Sequence, residues 1–377
     1  KVGANTFLGS GIPSPKFTIV NSLTTAGVDP LFVNASNPIG ADNIWRTADD
    51  GLQLQGASPA INAGASAGVL TYDDITNTPR IGNPDIGAYS FIESQSANVN
   101  ANRYYVKSNA TGANNGTSWA NAFTDIQSAL VGTAADTIFV AAGTYKPSKD
   151  INGNTASRDA TFKIINNKKI YGGFSGTETS LSQRNVIANA TIFDGDIGTT
   201  GNSTDNAYHV VYLSNGTSGI EIDGINIVNG TANGSAGLQN QGAGILAVAT
   251  TGSIVAKIKN CVLSNNTCSE SGGAVRAGSS GNYTSNLEFT NCVFTKNNAT
   301  SEGGAIRVLD VSTSSVIVKL NNCVVSENTA ASYDMSVDIQ NLAGSTVEIN
   351  NSTIYNNSST SSGSTRGIFA WRGEVKI

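Results

Sequence analysis

Apolar and polar residues alternate in short runs along this chain, and towards its C-terminal end the runs return on a fixed beat. Asn260-Cys261-Val262-Leu263-Ser264-Asn265-Asn266 recurs as Asn291-Cys292-Val293-Phe294-Thr295-Lys296-Asn297, as Asn322-Cys323-Val324-Val325-Ser326-Glu327-Asn328 and as Asn351-Ser352-Thr353-Ile354-Tyr355-Asn356-Asn357. The starts lie 291 − 260 = 31, 322 − 291 = 31 and 351 − 322 = 29 residues apart. Gly272-Gly273-Ala274-Val275-Arg276 keeps the same time, returning 31 residues later as Gly303-Gly304-Ala305-Ile306-Arg307. The runs between are β-prone, broken by Gly, Asn and Ser, with no helical apolar pattern, and a period of this length marks a solenoid. The pattern predicts an all-β chain folded as a parallel β-helix, each coil pairing with the next about 4.8 Å away.

The alternation also assigns faces. Cys261 with Leu263, Cys292 with Phe294 and Cys323 with Val325 fall on the core side, predicting a ladder of buried, reduced thiols. Parallel stacking points their Cβ vectors the same way and disfavours a disulfide. Cys268 falls in a turn and has no evident mate. Asn265, Asn297 and Asn328, with Asn357, are placed in the following turn, where Asn tolerates left-handed backbone and bonds to the Asn of the next coil. Arg276 and Arg307 stack on the same period, and 307 + 31 = 338 adds Asp338, predicting a solvated surface ladder.

Earlier in the chain the signals change. Asp29-Pro30-Leu31-Phe32-Val33, Asp49-Asp50-Gly51-Leu52-Gln53-Leu54, Ser58-Pro59-Ala60-Ile61-Asn62-Ala63-Gly64 and Pro84-Asp85-Ile86-Gly87-Ala88-Tyr89 resemble the closing segment, of the choice-of-anchor type, of bacterial cell-surface β-helices. Ser94 to Asn102 is polar and reads as a linker. Arg103-Tyr104-Tyr105-Val106 then predicts a strand, and Ala122, Phe123, Ile126, Ala129 and Leu130 share one face of a short helix over Ala120 to Leu130. With Asp136-Thr137-Ile138-Phe139-Val140-Ala141-Ala142-Gly143-Thr144-Tyr145 this resembles the N-terminal cap and first coil of pectate-lyase-like, right-handed β-helices. Tyr171 to Glu178 and Phe193 to Ile197 extend the likeness. The expected organisation is therefore the end of one β-helix over 1–93, a linker over 94–102, and the cap and coils of the next over 103–377. Such an order predicts a window on a tandem array of similar domains, the alternative being a two-domain fragment with unrelated neighbours. The resemblance implies a repeat protein similar to the large adhesins of Gram-negative surfaces, including the gliding and type IX-secreted ones.

Composition narrows the partners. Of 377 residues only 13% are charged, while Gly numbers 41, a polar but weakly charged balance suited to extracellular β-structure. A net charge of −5 gives no basic patch for nucleic acid, and no run of 18 apolar residues predicts membrane insertion. His209 is the sole His, which excludes a His triad or zinc site of standard spacing. Asp194 with Asp196, and Asp49 with Asp50, are the candidate carboxylate pairs for a glycoside-cleaving enzyme, but neither has a matching acid one coil away. Asp42-Asn43 through Asp49-Asp50 offers oxygens for calcium in a spacing that fits no standard loop. The expectation is an extracellular, cell-surface structural and adhesive segment without catalytic residues or cofactor. Its expected partners are neighbouring copies of the same repeat, with surface glycans or the substratum beside them. The alternative is a polysaccharide lyase or hydrolase, since this architecture hosts both.

Overall fold

One coil shows how the alternation becomes structure. In the strand Thr284–Thr290, Ser285, Leu287 and Phe289 are buried while the residues between them reach the outside. Asn291, in left-handed backbone at φ 56, turns the chain into Val293–Thr295, and Lys296, at φ 57, turns it again into Asn298–Ala299. Gly303 helps carry it into Ile306–Val311, after which Ser315–Asn321 begins the next coil. That strand pairs in parallel with the first, Thr284 opposite Ser315 and Thr290 opposite Asn321, so the 31-residue beat is one turn of the solenoid.

The computed structural model describes residues 29–38, 50–55, 58–60, 63, 103–132, 135–311, 315–331, 337–340, 345–359, 368–371 and 374–377. Coils of this kind build a right-handed parallel β-helix of about eight turns with about 3% helix. Among the described residues a nine-stranded sheet runs from Arg103–Val106 to Glu374–Lys376, two seven-stranded sheets complete the wall, and a five-stranded ladder of two-residue strands bridges one corner. The interior is one continuous column of Ile, Val, Leu, Phe and Cys. Burying each large apolar side chain contributes about 1.5–3 kcal/mol. No described helix is long and apolar enough to cross a membrane.

The first coil is covered by the helix Ile126–Val131, which buries Ile126, Ala129 and Leu130 and is capped by Asp125 Oδ1, accepting from Ser128 N at 2.9 Å. It is shorter than the expected span of Ala120 to Leu130. Phe123 accounts for this: its N–H donates to Tyr105 O at 2.9 Å and its carbonyl accepts from Lys107 N at 2.8 Å, so it serves as a strand partner of the first coil. Lys168, 2% exposed, donates to Gly132 O at 2.6 Å and Ala135 O at 2.7 Å, holding the carbonyls beyond the helix end. Burial lowers its pKa.

The chain divides into two compact units, Lys1–Val99 with Ser180–Ser182, and Asn100–Thr179 with Gln183–Ile377. In the first, Phe32 and Leu54 pair antiparallel, with Val33 N donating to Gln53 O and Gln55 N to Leu31 O, both at 2.8 Å. Ser58 Oγ reaches Pro30 O at 2.5 Å, so three of the four closing-segment motifs meet. The fourth, Pro84 to Tyr89, and the linker over 94–102 lie outside the described residues, as do Asp42, Asn43 and Asp49.

Candidate functional site

The strongest periodicity of the chain carries its thiols. Cys261, Cys292 and Cys323 are each 1% exposed, unpaired, and stacked at the ends of parallel strands, where Val262 lies opposite Val293 and Val293 opposite Val324. Burial, and then the two flanking thiols, push Cys292 well above the ordinary thiol range. Cys292 is therefore a poor nucleophile, and all three thiols fill the core as small apolar groups. Cys268 lies in the strand Thr267–Cys268, not in a turn, packed with Ala232, Ala243 and Ala299, and burial takes its pKa to about 12.

The Asn ladder exists one residue away from where Asn265 suggested. Asn265 is exposed, in left-handed backbone at φ 56, and its counterparts are Lys296 and Glu327, both at φ 57. The stacked amides are Asn266, Asn297, Asn328 and Asn357. Asn266 Nδ2 donates to Asn297 Oδ1 at 3.0 Å, Asn297 Nδ2 to Asn328 Oδ1 at 2.9 Å, and Asn328 Nδ2 to Asn357 Oδ1 at 2.9 Å. Each acceptor also takes the backbone N–H of the preceding rung, as Asn297 Oδ1 does from Asn266 N at 3.1 Å. Seven-residue blocks ending in Asn-Asn invited the wrong choice in the first block alone.

Arg276, Arg307 and Asp338 do share one register, but they form no surface ladder. They are 5%, 3% and 0% exposed. For the two arginines the reason is glycine: the turns at Gly242 and Gly272, at φ 61 and 75, lie against them, and a Cβ at Gly242 would fall 2.6 Å from Arg276 Cβ and one at Gly272 3.1 Å from Arg307 Cβ. Arg276 Nε donates to Gln241 Oε1 at 2.7 Å, Gln241 Nε2 to Glu270 Oε2 at 2.8 Å, and Arg307 pairs with both Glu302 and Asp338. A guanidinium is a fixed cation rather than a base, so this network clamps the turns of successive coils.

A third ladder lies at positions that carry no sequence motif. On the outer face of the long sheet Lys169 lies opposite Glu221, Glu221 opposite Lys257, Lys257 opposite Glu288, Glu288 opposite Lys319, Lys319 opposite Glu348, and Glu348 opposite Lys376. The sign alternates at every step. Lys319 Nζ stands 2.8 Å from Glu348 Oε2. Reading charge at the coil period, rather than along the chain, would have found it.

Asp194 and Asp196 are not brought together as an acid and base. Asp194 Oδ1 accepts from Asn229 Nδ2 at 2.8 Å and Asp196 N at 3.0 Å, whereas Asp196 Oδ2 accepts from Gly201 N at 2.8 Å and its Oδ1 lies 4.0 Å from Lys146 Nζ. Asp50 is 1% exposed within the first unit. His209 Nδ1 meets Gly242 O at 3.1 Å, and burial drives its pKa down to about 4, so the ring is neutral near pH 7. Among the described residues no three or more His, Cys, Asp or Glu gather as metal ligands. An open cleft of about 320 Å³ is lined by Lys107, Asn109, Ala110, Thr111, Gly112, Trp119, Ala120 and Asn121. Set against known proteins, the chain matches no family model, no curated protein and no solved structure.

Proposed function

We propose that this chain is a structural and adhesive segment of a large extracellular bacterial surface protein, a stiff β-helical rod displayed at the cell surface beside further copies of the same repeat. The observation that carries the reading is how its charged groups are used. Glu221, Glu288 and Glu348 lie between lysines of neighbouring coils, and Asp223 is bound by Arg184 at 2.7 Å and Asn260 at 2.8 Å. A β-helix hydrolase instead needs carboxylates free to converge on a sugar. These four bind coil to coil, which stiffens a rod. Surface glycans or the substratum are the partners such a rod would meet.

The test pairs adhesion with turnover. Beads coated with the chain are expected to be retained on glycan-bearing surfaces, and electron microscopy of the parent protein should show a filament with a regular axial repeat. Incubation with pectic and alginate polysaccharides, with and without calcium, is expected to release no sugar. Release that disappears in the Asp194→Asn variant would overturn the reading in favour of a lyase or hydrolase.

A further inference from the structure

After the strand Thr191–Asp194 the chain leaves the solenoid as a loop, closed at its neck by Ala207 N donating to Gly195 O at 2.8 Å. Asp196, Asp205 and Asn206 flank that neck, and Asp196 and Asn206 are only 8% and 6% exposed. Each side chain is held in place through one polar atom. Asp196 Oδ2 accepts from Gly201 N at 2.8 Å, and Asp205 Oδ2 accepts from Thr199 N at 2.9 Å and Asn202 Nδ2 at 3.1 Å. Asn206 Nδ2 donates to Asn229 O at 2.7 Å and Thr231 Oγ1 at 3.3 Å, which settles the orientation of its amide.

The other oxygen of each, Oδ1, is buried and receives no hydrogen bond. A buried acceptor without a donor is costly, and three in one short loop need a common cause. The donor set identifies it: two carboxylates and an amide are hard oxygen ligands, and Ca²⁺ accepts six to eight such oxygens in irregular geometry where Mg²⁺ demands a near-ideal octahedron. We propose that the loop 195–207 binds a calcium ion through Asp196, Asp205 and Asn206, with main-chain carbonyls and water completing the shell. Lys146 Nζ, 4.0 Å from Asp196 Oδ1 on a side chain 37% exposed, is the local cation and swings into solvent when calcium takes that oxygen. The site is independent of the adhesive reading, and it is not the Asp42 to Asp50 stretch considered from sequence.

The experiment uses the whole chain, stripped with EDTA and titrated with CaCl₂ by calorimetry. Saturable binding at one site is expected, together with a higher Tm in calcium than in EDTA and calcium-dependent protection of residues 197–204 from protease. Asp196→Asn and Asp205→Asn should each weaken binding by about tenfold or more, and MgCl₂ should not reproduce the protection. If Asp196→Asn fails to fold, as judged by its β-sheet circular dichroism, the more exposed Asp205→Asn decides. No heat and no Tm change in the unaltered chain overturns the proposal, as does unchanged calcium affinity in Asp205→Asn.

Discussion

The coils on either side of Gly230 meet the same stacking requirement in different ways. After it, two residues separate Val293–Thr295 from Asn298–Ala299, and the polar group at the corner is an Asn whose partner is its own counterpart one coil on. Before it, the corresponding corner opens into the loop 195–207, and Gly230 itself occupies the ladder position, its N–H donating to Asn266 Oδ1 at 2.9 Å. Periodic stacking lets one solution serve every coil. An insertion removes the counterpart, so loop side chains must find local partners, and oxygens that find none become ligand groups. Stacked, self-paired amides therefore run through the later coils, while in the loop 195–207 the side chains have only local partners.

The comparison breaks most severely if the core of the later coils is charged. Cys292→Asp is expected to cost several kcal/mol at neutral pH, because the carboxylate is buried between two thiols. Cys292→Ala should cost only about 1–2 kcal/mol. Urea unfolding followed by circular dichroism distinguishes them, and a loss that shrinks as pH falls and the Asp neutralises confirms the cause. Mass spectrometry after alkylation under denaturing, non-reducing conditions should label Cys261, Cys292 and Cys323; a disulfide peptide joining any two would refute the thiol ladder.

Next in size is the amide ladder. Asn297→Ala removes the acceptor of Asn266 N and Nδ2 and the donor to Leu263 O at 2.9 Å, an expected loss of about 2–4 kcal/mol from stranded buried groups. Asn265→Ala touches no rung and should cost about 1 kcal/mol, the strain of a left-handed position. Equal losses at both would contradict the assigned register.

What the sequence disclosed follows the same division. The solenoid, the thiol ladder and the coil length were readable because self-pairing repeats each requirement at a fixed interval. The burial of Arg276 and Arg307 was not, since it depends on a turn folding over the outer face, and alternation reports only which face a residue occupies. The backbone pairing of Phe123 overrode its place in a helical pattern. The proposed calcium loop lies where no coil supplies a second copy, so no period links Asp196 to Asp205 and Asn206, and spacing along the chain pairs Asp196 with Asp194 instead.

His209 tests the earlier coils through pH. Its folded pKa of about 4 lies below the unfolded value near 6.5. Between these values the unfolded state binds more protons, so stability rises with pH through the window and is lost as pH falls through it. With the ring partly exposed, the swing should be about 1–3 kcal/mol. Urea midpoints at pH 7, 5.5 and 4.5 should fall less steeply in His209→Gln; an identical slope would mean that the ring is freely solvated.

The smallest effect tests why the later coils stack in order at all. In the alternating ladder neighbouring coils meet with opposite signs, but coils two apart carry the same sign, as Lys257 and Lys319 do. A strand that skipped one coil while folding would set like charges face to face, so the ladder opposes mispairing among coils of otherwise similar sequence. Lys319→Glu places an acid between Glu288 and Glu348. Because these groups are partly exposed, the equilibrium loss should be only about 0.5–1 kcal/mol at low salt, fading as ionic strength rises. Its larger signature is expected in assembly: dilution from urea at low salt should yield less native protein and more aggregate than Lys319→Gln, with the gap closing at high salt. Equal refolding yields for the two variants would show that the charges decorate the rod without guiding its stacking.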